Sequence, residues 1–249
     1  LVANDVNCDG LVLDPNCFTT LAFVALSEEG ERTFSFARKP GADTQLRPEE
    51  LRRDVIENSR VFHVGSLSLT DEPARSATIA ALDVAKAAGA VMSYDPNYRD
   101  SLWTSAEVAS EQMRSIVTYM DLIKISCEET ELLTGRSDPT EAARILLGQG
   151  AQVICVTLDD EGALVATKDG SATVPSFKVD AVDTTGAGDS FWGGFLCAFV
   201  DADIRPENVT LDDARSFARF GNAVASLCVR RRGAIPAMPT LDEVEKVLS

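Results

Sequence analysis

The amino-acid sequence predicts an α/β fold: a mainly parallel sheet flanked by helices, preceded by a small β lid. Three observations point to it. From about Val61 onward, short apolar runs alternate with helix-length segments, the signature of βαβ units. Ahead of them, two runs rich in Phe, Thr and Val alternate apolar with polar residues, as a hairpin does. The chain has 249 residues, 45% apolar and 25% charged, enough to bury a sizeable core.

Taken in order, LVANDVNCDG reads as the tail of a helix running into a turn. TTLAFVALS (19–27) and RTFSFAR (32–38), separated by EEGE, form the ribbon, with one face wet. A two-stranded ribbon is marginal alone, so residues 19–40 are expected to close over the main domain, 41–249, as a lid or to pair with a second copy. VFHVGSL (61–67) reads as a buried strand with His63 in the core. EPARSATIAALDVAKAAG (72–89) is a helix with Pro in its first turn and Gly at its end. A strand at 90–95, a helix at 105–119, a strand at 122–126, helical stretches at 128–134 and 139–149 and a strand at 152–158 continue the alternation. GALVATKDGSATVPSF (162–177) is a hairpin with a D-G turn, and FKVDAV after it is strand-like. Helices at 188–201, 211–230 and 240–248 complete the chain. Within the first of these, SFWGGFLCAFV is apolar on every face, hence buried, with Gly193 and Gly194 allowing close packing.

The formal net charge is −16, which excludes a nucleic-acid or anionic-membrane partner, since both need a basic footprint. No apolar run reaches 18 residues. The six cysteines form no C-x-x-C pair, and there is one histidine, so zinc ligation is not expected. Cys155 and Cys197 lie in apolar runs and read as free buried thiols of a soluble protein in a reducing cytoplasm.

Ligands of open α/β sheets bind beyond the carboxyl ends of the strands. There this sequence places its most polar loops: GSLSLTDE, DPNYRD, SCEETE, TLDDEG and DTTGAGD. In the last, Gly186, Ala187 and Gly188 let a backbone approach a ligand closely, at a helix start whose N–H groups are unpaired and partially positive. Such a loop is expected to serve as an anion hole. Two roles fit Asp189 behind it: an ordinary acid in a helix first turn, or a base taking a proton from a hydroxyl that attacks a phosphate. A Walker A loop needs G-K-S/T, which is missing, and Phe191 stands where a dinucleotide fingerprint needs its third glycine. In DPNYR, Pro96 stiffens a strand-end turn, and the Arg99 guanidinium can neutralise phosphate or grip an oxygen-rich substrate.

DTTGAGDSFWGGF is similar to the C-terminal signature of the ribokinase/PfkB family of carbohydrate kinases. TLAFVALSEEGERTFSFARKPGAD and DPNYR resemble that family's fructokinase branch. The resemblance implies a ribokinase-like fold and a cytoplasmic ATP-dependent sugar kinase, with fructose as the expected substrate. The rivals are 2-keto-3-deoxygluconate or another sugar acid, and a non-catalytic nucleotide or sugar sensor. It implies that Gly186, Ala187 and Gly188 form the anion hole and that Asp189 deprotonates the sugar. It implies that Asn97 and Arg99 face the nucleotide phosphates and the sugar, and that Arg38 reaches the substrate. SCEETE stands at the family's Asn-x-x-Glu pattern, with Ser126 for the Asn and Glu129 tied to Mg2+ through water. TLDDEGA resembles the nucleotide loop through Thr157 and Gly162, with Asp159 in place of a glycine. Asn222 matches a position near the adenine, Gly233 a further nucleotide position, and Asp183 and Thr185 a monovalent cation site, K+. A homodimer through the lid also follows from the resemblance. Family members begin with a further segment that carries the first strands, an acid that holds the sugar and a G-G-x-x-x-N stretch. This chain lacks it, and the expectation is a truncation or an incomplete record.

Overall fold

The computed structural model describes residues 1–26 and 32–249; the EEGE stretch between the two runs of the ribbon lies outside them. The chain divides into two compact units, Leu1–Met120 and Asp121–Ser249.

In the first unit, β1 (Leu21–Leu26) and β2 (Arg32–Ala37) pair antiparallel, Leu21 opposite Ala37 and Leu26 opposite Arg32. The expected division into a wet and a dry face does not hold. Phe23 and Val24 point to opposite faces, yet they are 58% and 45% exposed. Two strands alone have no second layer to bury a face against. The ribbon is anchored at its root. The buried Arg38 guanidinium donates to the Asp43 carboxylate at 2.7 Å, to Thr70 Oγ1 at 2.8 Å and to the Leu67 carbonyl at 2.7 Å.

After the short α1 (Arg53–Glu57), β3 (Val61–Val64), α2 (Ala74–Ala88) and β4 (Val91–Tyr94) make a βαβ unit, Val61 beside Val91 in a parallel pair. α2 is built of alanine and other good helix formers. It buries Ala74, Ala77, Thr78, Ala81, Leu82 and Ala85 at helical spacing and ends on Gly89 in the left-handed region, φ 79°. β3 stops four residues in, where Ser66 N–H leaves to bond the Pro96 carbonyl at 3.0 Å. His63 is exposed, not a core residue. Successive strand residues face opposite ways, and the buried face of β3 is the one carrying Val64. The His63 ring lies 3.0 Å from Ser93 Oγ and lines a largely apolar hollow of about 330 Å3 between β3 and α2. α3 (Ala106–Ser115) starts on Ser105, whose hydroxyl accepts the Val108 N–H, and gives way to a 3-10 turn before residue 119.

In the second unit, β5 (Leu122–Ser126) leads to α4 (Glu129–Thr134) and α5 (Pro139–Gly148), then β6 (Val153–Thr157), β7 (Gly162–Thr167) and β8 (Gly170–Pro175). β5 and β6 run parallel, while β6, β7 and β8 pair antiparallel. The antiparallel part is the hairpin expected at 162–177: a two-residue loop at 168–169 turns the chain straight back between β7 and β8. FKVDAV is not a strand. Val182 and Asp183 both donate their N–H to the Val229 carbonyl, at 2.8 and 3.0 Å, which ties this exposed segment to a helix end.

Three helices follow: α6 (Ala187–Asp201), α7 (Leu211–Cys228) and α8 (Leu241–Leu248). α6 is buried over most of its circumference. Trp192 stacks on Phe195 at 4.8 Å, and Phe217 of α7 meets Phe195 and Phe199 edge-on. It is not buried all round, however: Asp189, Gly193 and Cys197 form an open stripe at i, i+4 spacing. Of the glycine pair, Gly194 makes the close approach. A side-chain carbon there would lie 2.8 Å from Val224, and one at Gly221 would lie 2.6 Å from the Phe191 carbonyl oxygen, whereas Gly193 faces open space. α8 begins with a capping box, in which the Thr240 N–H, then Arg231, pulls the Glu243 carboxyl down to about 2. Among the described residues, no helix is long and apolar enough to cross a membrane. All six cysteines are free thiols, Cys155 and Cys228 buried, Cys127 and Cys197 exposed.

Candidate active site

The first turn of α6 carries the densest set of expected residues. Gly186 caps it with φ 79°, a backbone that favours glycine. A side chain there would also crowd Ala234, 2.9 Å away. Ala187 N–H closes a turn onto the Thr184 carbonyl at 3.0 Å, and Ser190 N–H begins the helix ladder on the Gly186 carbonyl at 2.8 Å. The N–H groups of Gly186, Gly188 and Asp189 donate to no protein acceptor among the described residues. Of the three amides expected in the anion hole, that of Ala187 is therefore used up in the turn, and the Asp189 N–H joins the set. The Asp189 side chain is exposed beside these donors, where the helix dipole favours a carboxylate.

Two side chains brace this turn. Asp183 accepts the Thr185 N–H on one carboxylate oxygen and the Gly233 N–H on the other, each at 2.9 Å. It thereby ties the loop before α6 to the bend at Gly233, φ 86°. Lys124 of β5 lies against the bare Cα of Gly188: its Nζ is 2.9 Å from where a side-chain carbon at 188 would stand.

At the carboxyl ends of β5 and β6, Ser126 sits opposite Thr157. The Ser126 N–H donates to Glu129 Oε2 at 2.7 Å, which holds the buried Glu129 carboxylate at the strand end. Thr157 Oγ1 reaches the Ile125 carbonyl at 3.4 Å. Beyond β6 the chain turns through Asp159 at φ 50° and Gly162 at φ 108°. A side-chain carbon at 162 would fall 2.1 Å from the Val174 carbonyl oxygen. Asn222, 4% exposed, donates its amide to that same carbonyl and to Pro175, at 3.0 and 3.1 Å. In the first unit, the buried Asp95 accepts the Asn97 N–H at 3.2 Å, with Asn97 at φ 50°, and half-buried Arg99 donates to the Tyr98 carbonyl at 2.7 Å.

Residues 1–241 match the pfkB family carbohydrate kinase domain. The chain belongs to that family. It is 46% identical to the probable fructokinase-4 of Arabidopsis thaliana, over all of this chain and 76% of the relative. In structure it resembles the Xylella fastidiosa fructokinase with bound ATP, with a TM-score of 0.89 and 34% identity, covering 99% of this chain and 78% of that one. It also resembles the Vibrio cholerae fructokinase bound to fructose, ADP and calcium, with a TM-score of 0.88 and 33% identity, covering 100% and 79%. The fold is thus ribokinase-like.

Set against what family likeness implied, several side chains are committed elsewhere. Arg38, expected at the substrate, is held in the ribbon's root by a carboxylate, a hydroxyl and a carbonyl. Asn222, expected near the adenine, is buried and spends its amide on the end of β8, the same place that forbids a side chain at Gly162. Both side chains hold neighbouring loops through those donors. Asp159 adopts a left-handed backbone, φ 50°, which suits the glycine that the family likeness implies there. Asp tolerates that region better than most residues, and its side chain is exposed. The residue that sequence reasoning missed is Lys124. Its signal was present as a lone charge inside the apolar strand LIKIS, buried next to Cys155.

Among the described residues no group of three or more His, Cys, Asp or Glu could hold a metal ion. Mg2+ keeps several waters and needs only one or two carboxylates beside nucleotide phosphates, a demand that Glu129 at the end of β5 fits.

Proposed function

We propose that the protein is an ATP-dependent fructokinase that transfers the γ-phosphoryl of ATP to a primary hydroxyl of fructose. One observation carries the reading: an exposed carboxylate, Asp189, shares the first turn of α6 with N–H donors that have no protein acceptor. A phosphate alone is repelled by such an acid. A hydroxyl attacking a phosphate needs it. Asp189 takes the hydroxyl proton, the sugar oxygen forms its bond to the γ-phosphorus, and the bond to the β-phosphate oxygen breaks to release ADP. The donors at 186, 188 and 189 receive the charge on the transferring group; one such donor contributes roughly 2.7–4 kcal/mol in a dry site. Asn97 and Arg99 face the phosphates and the sugar, Ser126, Thr157 and Gly233 line the nucleotide, and Gly162 and Asn222 hold the nucleotide loop in shape. Glu129 would hold Mg2+ through water, and the ion would supply neutralisation of the phosphate charge. Asp183 and Thr185 would hold a monovalent cation, which would supply further bracing of the same loop. The ribbon serves as a lid and as the contact with a second copy, and the free thiols fit a reducing cytoplasm.

ADP release from MgATP with a panel of sugars tests this. Fructose is expected to give the highest kcat/KM. Faster turnover of 2-keto-3-deoxygluconate would move the assignment to a sugar-acid kinase, and ATP binding without turnover of any sugar would replace it with a sensor.

A further inference from the structure

GSLSL, the stretch that follows β3, puts Ser66 just past the strand end, fully buried. A buried hydroxyl must find an acceptor. Ser66 Oγ donates to the Pro96 carbonyl at 2.5 Å, and the Ser66 N–H donates to the same oxygen at 3.0 Å. One residue thus takes both lone pairs of that carbonyl. The other end of the same peptide unit is held as well: the Asn97 N–H donates to the carboxylate of buried Asp95 at 3.2 Å. The Asp95 N–H in turn bonds the Val64 carbonyl at 3.1 Å, so the paired ends of β3 and β4 carry both grips. A planar peptide bonded at its C=O and at its N–H flips only by breaking those bonds. The residue that follows this carbonyl is Asn97, at φ 50°. A left-handed backbone is uncommon outside glycine and persists where its surroundings over-determine it.

We infer that Ser66 is a positioning residue for phosphoryl transfer: by gripping the Pro96 carbonyl it keeps Asn97 left-handed and its side chain in one direction. This rests on the phosphotransferase reading above, in which Asn97 faces the phosphates and the sugar, and does not depend on which sugar is used. Half of the grip, the N–H, belongs to almost any residue at 66. The other half belongs to the hydroxyl. Without it the Pro96–Asn97 peptide relaxes and the Asn97 side chain shifts, and a misplacement of about 1 Å at a reacting centre can cost about 10²-fold in rate.

The test is a double-mutant cycle between Ser66→Ala and Asn97→Gly, read in kcat/KM for fructose with saturating MgATP, folding checked by circular dichroism. Glycine at 97 removes the side chain and takes the left-handed backbone at no steric cost. In the parent, Ser66→Ala is expected to lower kcat/KM at least ~10-fold. In Asn97→Gly the same change is expected to lower it less than about twofold, because the side chain it positions is gone. Parent-like kcat/KM in folded Ser66→Ala overturns the proposal. So does an equal fold-loss in both backgrounds, the mark of a merely structural role. If Ser66→Ala does not fold, Ser66→Cys, whose thiol is only a weak donor, takes its place in the same cycle. A parent that turns over no sugar defeats the fructokinase reading, and the cycle is then read in ATP affinity by calorimetry. There, a weakening by Ser66→Ala that disappears in Asn97→Gly supports the part given to Ser66, and equal weakening or none overturns it.

Discussion

Asp189 draws its meaning from three neighbours in sequence and two far from it. Gly186 supplies the left-handed cap, Ala187 closes the turn and Gly188 leaves its N–H open. These were legible in DTTGAGD, because a glycine-rich turn before a helix is a local pattern. The distant two were not. Asp183 reaches Gly233, and Lys124 reaches Gly188, only after the chain has folded. No spacing rule reports such contacts. The same limit explains Arg38 and Asn222: residue type and family position suggested ligand contact, while hydrogen bonds to Asp43, Thr70 and Leu67 in one case, and to the end of β8 in the other, absorb them. His63 misled because its neighbours along the chain are apolar while its own face of the strand is not covered.

At the scale of elements, the strands and helices of the βαβ stretches were readable from periodicity, and their ends from Gly89, Ser105 and Thr240. FKVDAV failed because alternation alone does not say whether a strand has a partner. The α6–α7 contact shows what glycine does inside helices. Gly221→Ala would push a carbon to 2.6 Å from the Phe191 carbonyl oxygen. It should cost about 1–3 kcal/mol of stability, with activity lost in parallel as the mount of Asp189 shifts. Gly193→Ala enters open space on the exposed stripe and should gain up to about 1 kcal/mol, as alanine does over glycine in a helix. Urea denaturation of the two variants checks both signs; a stabilised Gly221→Ala would refute the close-packing account.

For the whole molecule, length, charge and composition set the class, and the comparisons supply the family. The ribbon is the part for which a role beyond the single chain is proposed. Leu21, Phe23 and Val24 expose apolar surface on both faces of a strand that a second ribbon could cover. Sedimentation equilibrium at micromolar concentration should show a dimer, and Phe23→Lys should shift it toward monomer. A monomeric parent would remove the ribbon's contact role and leave only the lid.

The central claim is that the Asp189 carboxylate removes the proton from the attacking sugar hydroxyl. Steady-state kinetics of Asp189→Asn, alongside ATP affinity by calorimetry, tests it most directly. The predicted result is a kcat at least ~10²-fold below the parent with ATP affinity nearly unchanged. Turnover close to that of the parent would contradict it and return Asp189 to the role of an ordinary acid at a helix start.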